Sequence, residues 1–207
     1  MNHKGKFFAF EGIDGSGKGT QIRLLTEHLR KEGIPFFQTL EPSDSPTGAL
    51  IHQVMIGRIQ MPNDALAALF VADRLDHVQN PVNGILQAME QGRTVISDRY
   101  YFSSYAYQSV DVPMDWIIAA NTLVTEKLRP TATIFIDVDP EITMQRVEDR
   151  GETRELFENK ERLIATRARY FEAIEKLKHE ENVIIVDGHR SPEEISEEIW
   201  EKVKILL

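Results

Sequence analysis

Phe7–Gln21 reads FFAFEGIDGSGKGTQ, an apolar run that breaks into a glycine-rich turn and then into residues with helical spacing. Gly12, four intervening residues, Gly17 and Lys18 fall where a strand, a loop and the start of a helix meet. Glycines there let backbone N–H groups turn inward around phosphate oxygens, and the helix dipole favours negative charge at the same point. A lysine in that place reaches the β- and γ-phosphates of a nucleotide. Gly12, Ile13, Asp14, Gly15, Ser16, Gly17, Lys18, Gly19 and Thr20 are therefore the candidate ATP-binding residues, and Lys18 is also a catalytic candidate. One position departs from the usual pattern. Gly19 follows the lysine where a Ser or Thr ordinarily offers its hydroxyl to Mg²⁺, and Thr20 is the nearest substitute.

Outward from this stretch, short β-rich runs alternate with helix-period segments. The runs are Lys6–Phe10, Pro35–Leu40, Thr94–Ser97, Thr133–Val138 and Asn182–Asp187, read as buried parallel strands. Ile22, Leu25 and Leu29 carry helical spacing up to a stop at Gly33, as do Ile195, Ile199 and Val203 near the end. Ser191, Pro192 and Glu194 form a capping-box pattern, and Asp139, Pro140 and Glu141 are expected to start another helix in a similar way. Because parallel strands need crossover connections, this alternation predicts an α/β fold with helices on both faces of a parallel sheet and ligands at the carboxyl ends of the strands. One domain over residues 1–207 is expected, with no internal repeat.

Composition narrows the function. With 24 Lys and Arg against 33 Asp and Glu, the surface repels polyanions, so DNA and RNA are not expected partners and a small anionic ligand needs a local basic pocket. The chain has no Cys, which removes disulfides, thiolate metal sites and a Cys nucleophile. No apolar run approaches the roughly 18 residues of a membrane span, and Met1–Phe10 lacks the longer apolar core of a signal peptide, so a cytoplasmic location is expected. His3, His28, His52, His77, His179 and His189 are scattered without metal-ligand spacing.

Two further segments concern the acceptor. LFVADR spans Leu69–Arg74, and SDRYYFSSYAYQ spans Ser97–Gln108. Together with GIDGSGK in the glycine-rich turn, they resemble the thymidylate kinase family over nearly the whole chain, while GKGTQ resembles the loop of adenylate kinases. The resemblance implies a P-loop NTPase fold, a three-layer α/β/α arrangement of a five-stranded parallel sheet with a helical lid at about residues 141–158. It also implies that Phe70 stacks on thymine, Arg74 donates to a base carbonyl and Arg99 grips the acceptor phosphate. Ser104, Tyr107 and Gln108 would line the same pocket, and Asp14 would stand near the sugar 3′-hydroxyl. The residue types suit these tasks, since an aromatic face stacks on a base and a guanidinium fork matches phosphate or carbonyl oxygens. Blander readings stay open: Phe70 with Leu66 and Leu69 also makes the buried stripe of an amphipathic helix, and Arg74 also suits a surface ion pair with Asp73 or Asp76. Tyr100, Tyr101, Phe102, Tyr105 and Tyr107 cannot all face one ligand, so most of them must be packing.

Asp98 ends an apolar strand, a position from which such enzymes hold Mg²⁺ directly or through water. Leu40 stands where many members of the family carry Arg before Glu-Pro. Arg150 and Arg154 lie in the segment that resembles the lid and are catalytic candidates together with Lys18 and Arg99. Alternatively, they pair with Glu148, Asp149, Glu152 and Glu155 on a solvated helix. The reaction implied is ATP-dependent phosphorylation of dTMP to dTDP by a homodimer with Mg²⁺. Its alternatives are a kinase for dUMP, UMP, CMP or AMP, and a nucleotide-binding switch, which the absence of an NKxD-type guanine signature disfavours.

Overall fold

The computed structural model describes residues 5–150 and 160–207, with the backbone alone for 147–150. Five strands, β1 (Phe7–Glu11), β2 (Phe36–Leu40), β3 (Thr94–Asp98), β4 (Ala132–Asp137) and β5 (Val183–Asp187), form one sheet in the order β2-β3-β1-β4-β5. Every pairing is parallel. The connections carry α1 (Lys18–Lys31), α2 (Pro46–Met55), α3 (Asn63–Gln79), α4 (Ile85–Glu90), α5 (Tyr101–Tyr107), α6 (Met114–Ala120), α7 (Thr122–Lys127), α8 (Pro140–Arg150), α9 (Lys160–Leu177) and α10 (Pro192–Lys204).

The core lies on both faces of the sheet. Phe7 and Ala9 of β1 pack with residues of α3, α5 and α9, while Phe8 and Phe10 pack with Ile22, Leu25 and Leu29 of α1 and with Ile195 and Ile199 of α10. A strand covered on both sides reads as a continuous apolar run, which is how FFAF appears in the sequence. The two edge strands depart from the expected burial. Leu40 on β2 and Ile185 on β5 are each 45% exposed, because a strand with only one neighbour is left open along its outer edge.

The caps follow local chemistry. Ser191 Oγ accepts from Glu194 N, and Glu194 Oε2 accepts from Ser191 N at 3.1 Å, so the capping box forms. α8 starts at Pro140 as expected, its Thr143 N donating to Asp139 O at 3.1 Å, while the Asp139 carboxylate meets Arg167 Nη1 and His189 Nε2, each at 3.3 Å. Among the described residues no helix is long and apolar enough to cross a membrane.

Topology decides where the site lies. The chain leaves β1 toward β2, returns through β3, and then crosses β1 to reach β4 on its other side. The carboxyl end of β1 is thus the point where the direction of winding reverses, and a crevice opens there.

Candidate active site

The loop after β1 is built around positive φ angles: Gly12 has φ 145°, Gly15 78° and Gly17 96°. At Gly15 an added Cβ would come within 2.5 Å of the Thr143 carbonyl on α8, so the loop needs glycine there for close approach as well as for conformation. Gly17 delivers the chain into α1, whose first residue is Lys18. The Lys18 side chain folds back over the loop, with Nζ donating to Gly12 O at 3.1 Å and Ile13 O at 3.3 Å. Burial and the nearby Arg99 guanidinium hold its ammonium below the ordinary lysine value, against the opposing pull of Asp98, Asp14 and Glu11. Ile13 is buried in the core, Ser16 is 2% exposed, and Gly19 and Thr20 face solvent. A Cβ at Gly19 would meet nothing within 4 Å, so crowding by the protein does not explain the missing hydroxyl.

β3 supplies the second half. Phe10 is in register with Asp98, which sets Asp98 and Arg99 beside the end of β1. Arg99 has φ 72°, the only positive value at a non-glycine among the described residues. Its guanidinium pairs with Asp14, donates to Gly12 O at 3.1 Å, Ser103 Oγ at 3.0 Å and Tyr107 Oη at 3.2 Å, and lies over the Tyr107 ring. Tyr107 Oη in turn donates to Asp14 Oδ2 at 2.8 Å. Burial raises the Asp14 pKa, but Arg99, Lys18 and the Tyr107 hydroxyl more than offset it, so the carboxyl ends below its ordinary range.

These groups face a cleft of about 420 Å³ lined by Asp14, Lys18, Asp98, Arg99, Ser103, Tyr107 and Gln108. Phe70 of α3, Leu40 of β2, and His52 and Met55 of α2 also line it. Phe70 is 9% exposed, with Leu66 and Ala67 of the same helix stripe buried beside it, so it serves both the core and the cleft. Tyr100, Tyr101, Phe102 and Tyr105 are packing, as expected. Gln38, Glu41 and Met55 were not singled out in the sequence, and His52 was named only among the scattered histidines. Alternation along β2 from Leu40 points to Gln38, but no sequence signal marks the residues of α2.

Two acceptor-pocket expectations meet a different placement. Arg74 is 1% exposed and is absent from the cleft wall; its Nε donates to Glu41 Oε2 at 2.7 Å, Nη1 to Asn121 Oδ1 at 2.7 Å, and Nη2 to Ser104 Oγ at 3.1 Å and Tyr100 O at 3.4 Å. Those four bonds use four of the five guanidinium N–H groups, leaving one on Nη1 without an acceptor among the described residues. Its ion-pair partner is neither Asp73 nor Asp76 but the buried Glu41. Asp73 accepts instead from Ser43 N, Ser43 Oγ and Ser45 Oγ, each at 2.7 Å. Ser104, expected on the pocket wall, is 1% exposed and spends its hydroxyl on Arg74, because a side chain on the inner face of α5 meets α3 before it meets the cleft. Arg154 and the side chain of Arg150 lie outside the described residues.

A magnesium ion fits the donors present. Asp98 Oδ1 is buried and has no hydrogen-bond partner among the described residues, which leaves a carboxylate oxygen available beside the phosphate loop. No group of three or more His, Asp or Glu residues that could hold a metal occurs among those residues, so most ligands would have to come from phosphate oxygens and water, as Mg²⁺ commonly accepts.

The sequence profile described as thymidylate kinase matches residues 10–199. A probable thymidylate kinase of Methanococcus aeolicus is 37% identical over 209 residues, covering 98% of this chain and 99% of the relative. The thymidylate kinase of Symbiobacterium thermophilum is 33% identical over 205 residues, covering 97% and 94%, and a probable thymidylate kinase of Pyrococcus abyssi is 35% identical over 207 residues, covering 97% of each. With a glycine loop and lysine at the end of β1, an Asp-Arg pair at the end of β3 and full-length relatives in both bacteria and archaea, the chain belongs to the thymidylate kinase family.

Proposed function

We propose that this chain transfers the γ-phosphoryl group of ATP to the 5′-phosphate of dTMP, giving dTDP and ADP. The observation that carries the reading is the convergence of Lys18 and Arg99 on the Gly12 carbonyl, in a cleft whose lining also includes Phe70. Two cations at the end of β1 form a local anion site on a chain of net charge -9. Phosphoryl transfer needs alignment and charge stabilisation more than a protein nucleophile, and such a site supplies both.

Each residue then has a task. The backbone of residues 12–17 and Lys18 cradle the ATP phosphates. Arg99 binds the acceptor phosphate, and Asp14 orients Arg99 while facing the sugar. Phe70 stacks on the base, and Arg74 braces α3, the helix that carries Phe70, through Glu41 and Asn121. Tyr107 and Gln108 close the pocket, and Arg150 and Arg154 bring further positive charge to the transferred group from the lid. Asp98 and ATP oxygens would hold Mg²⁺, which neutralises phosphate charge when bound. We place the activity in the cytoplasm, in a single domain that works as a homodimer. A coupled assay of ADP release against dTMP, dUMP, UMP, CMP and AMP tests the substrate. The highest kcat/KM is expected for dTMP, and a higher value for any other member of the panel rejects it.

A further inference from the structure

Glu11 is the last residue of β1 and is 0% exposed. A carboxylate so placed is costly unless its lone pairs are satisfied, and here four donors converge on it. Oε1 accepts from Tyr100 N at 2.8 Å and Ser103 N at 3.1 Å. Oε2 accepts from Ser103 Oγ at 2.6 Å and Tyr170 Oη at 2.8 Å.

The first pair of bonds has a recognisable purpose. Tyr100 is the N-cap of α5 and Ser103 is its third residue, and Tyr100 makes no side-chain cap. In an ordinary capping box the N-cap side chain serves the third N–H while a Glu in that third position serves the N-cap N–H. Glu11 performs both halves from a neighbouring strand. The residue just before this cap is Arg99 in its left-handed conformation, which is strained for a non-glycine and persists only where the surroundings hold it. Three bonds hold that turn: Arg99 N donates to Phe10 O at 2.9 Å, Ser97 Oγ donates to Arg99 O at 2.8 Å, and Glu11 receives the next N–H.

We propose that Glu11 is a positioning residue for the transfer reaction: it locks the turn that aims Arg99 and, through the Tyr170 hydroxyl, ties that turn to α9. Ser103 completes the link, since its Oγ accepts from Arg99 Nη1 at 3.0 Å and itself donates to Glu11. Burial pushes the Glu11 carboxyl upward, and the bonds from Ser103 and Tyr170 with the charge of Arg99 oppose that push. The inference rests on the role given to Arg99 above.

The test compares Glu11→Gln in the wild-type background and in Arg99→Ala, on whichever monophosphate the wild-type chain phosphorylates fastest, so that a wrong substrate and a wrong role for Glu11 give different results. Glu11→Gln keeps the size of the side chain and removes its charge. Its kcat/KM for the monophosphate is expected to fall about 10-fold or more, the scale of a bond to a charged group, with KM for ATP within about twofold of wild type. In Arg99→Ala the same change is expected to cost less than about twofold, because a residue that acts through Arg99 has nothing left to position. An equal loss in both backgrounds, or a loss below about twofold in wild type, overturns the proposal. If the Gln variant does not fold, Glu11→Asp, which keeps the charge but shortens the reach, carries the same comparison.

Discussion

The ammonium of Lys18 and the guanidinium of Arg99 meet at one atom, the carbonyl oxygen of Gly12, which accepts from each at 3.1 Å. Burial, together with the repulsion between two cations this close, keeps Lys18 below its ordinary pKa. Phosphate oxygens placed between them would relieve both effects, so the structure stores affinity for an anion at the point where two phosphates must approach each other.

Lys18→Ala should therefore lower kcat by about 10² to 10³ fold, the usual loss for one preorganised charge-stabilising donor. The fold should survive, since among the described residues the hydrogen bonds of the Lys18 ammonium go to loop carbonyls, those of Gly12 and Ile13. Steady-state kinetics together with circular dichroism measure both. A folded variant with ordinary turnover would remove Lys18 from the mechanism.

Arg74 makes a prediction of the opposite kind. Its guanidinium joins α3 to Glu41, Asn121, Ser104 and the Tyr100 carbonyl, and Glu41 is 4% exposed. Removing one partner of a buried pair costs about 3 to 5 kcal/mol, because the other charge is left uncompensated. Arg74→Ala should lose stability on that scale in urea unfolding, and a double variant with Glu41→Gln should recover part of it. An unfolding free energy within about 1 kcal/mol of wild type would show that water replaces the lost bonds.

What the sequence disclosed follows from how local the signals are. The phosphate loop is contiguous, so spacing alone places Gly12, Gly17 and Lys18, and the capping box at Ser191 is equally local. Arg74 shows where this kind of reading stops. A helix pattern offers Asp73 and Asp76 as neighbours, whereas the partner found is Glu41, 33 residues away, brought in by the loop after β2. Glu11 was hidden for the same reason: its four donors come from α5 and α9, and nothing next to it in sequence announces them. The edge position of β2 and β5 depends on strand order, which the pattern of apolar runs does not carry.

His189 provides a pH dependence with a definite sign. Its Nδ1 lies 2.6 Å from Asp187 Oδ1, and its Nε2 lies 3.3 Å from Asp139 Oδ2, joining the end of β5 to the start of α8. The bond to Asp187, opposed by burial and aided by the charges of both aspartates, raises its pKa above the ordinary 6.5. The folded state thus holds this proton more tightly than the unfolded chain. The stabilisation is fully present below 6.5 and fades as pH rises through the raised folded value. His189→Gln should therefore lower Tm more at about pH 5.5 than at about pH 9, and thermal melts at the two values decide it. A gap that stays constant or widens at the higher pH would rule out the ion pair as its source.

Gly19 bears on the proposed magnesium site. The space around a Cβ there is open, and the residue sits in the first turn of α1 with no left-handed φ, so an alanine is compatible with the backbone. Replacing a helical glycine with alanine restricts the unfolded chain and gains up to about 1 kcal/mol, which corresponds to a Tm rise of about 2 to 4 °C in a chain of this size. Gly19→Ala should show a gain of that kind, and a loss would mean that the position is conformationally constrained in a way its open surroundings do not suggest. Gly19→Ser adds the hydroxyl that phosphate loops ordinarily turn toward Mg²⁺. Compared with Gly19→Ala, it should reach half-maximal rate at a lower Mg²⁺ concentration at fixed ATP, because Asp98 would then share the ion with a second protein oxygen. Identical Mg²⁺ curves for the two variants would place the ion beyond reach of residue 19 and leave Asp98 as its protein contact.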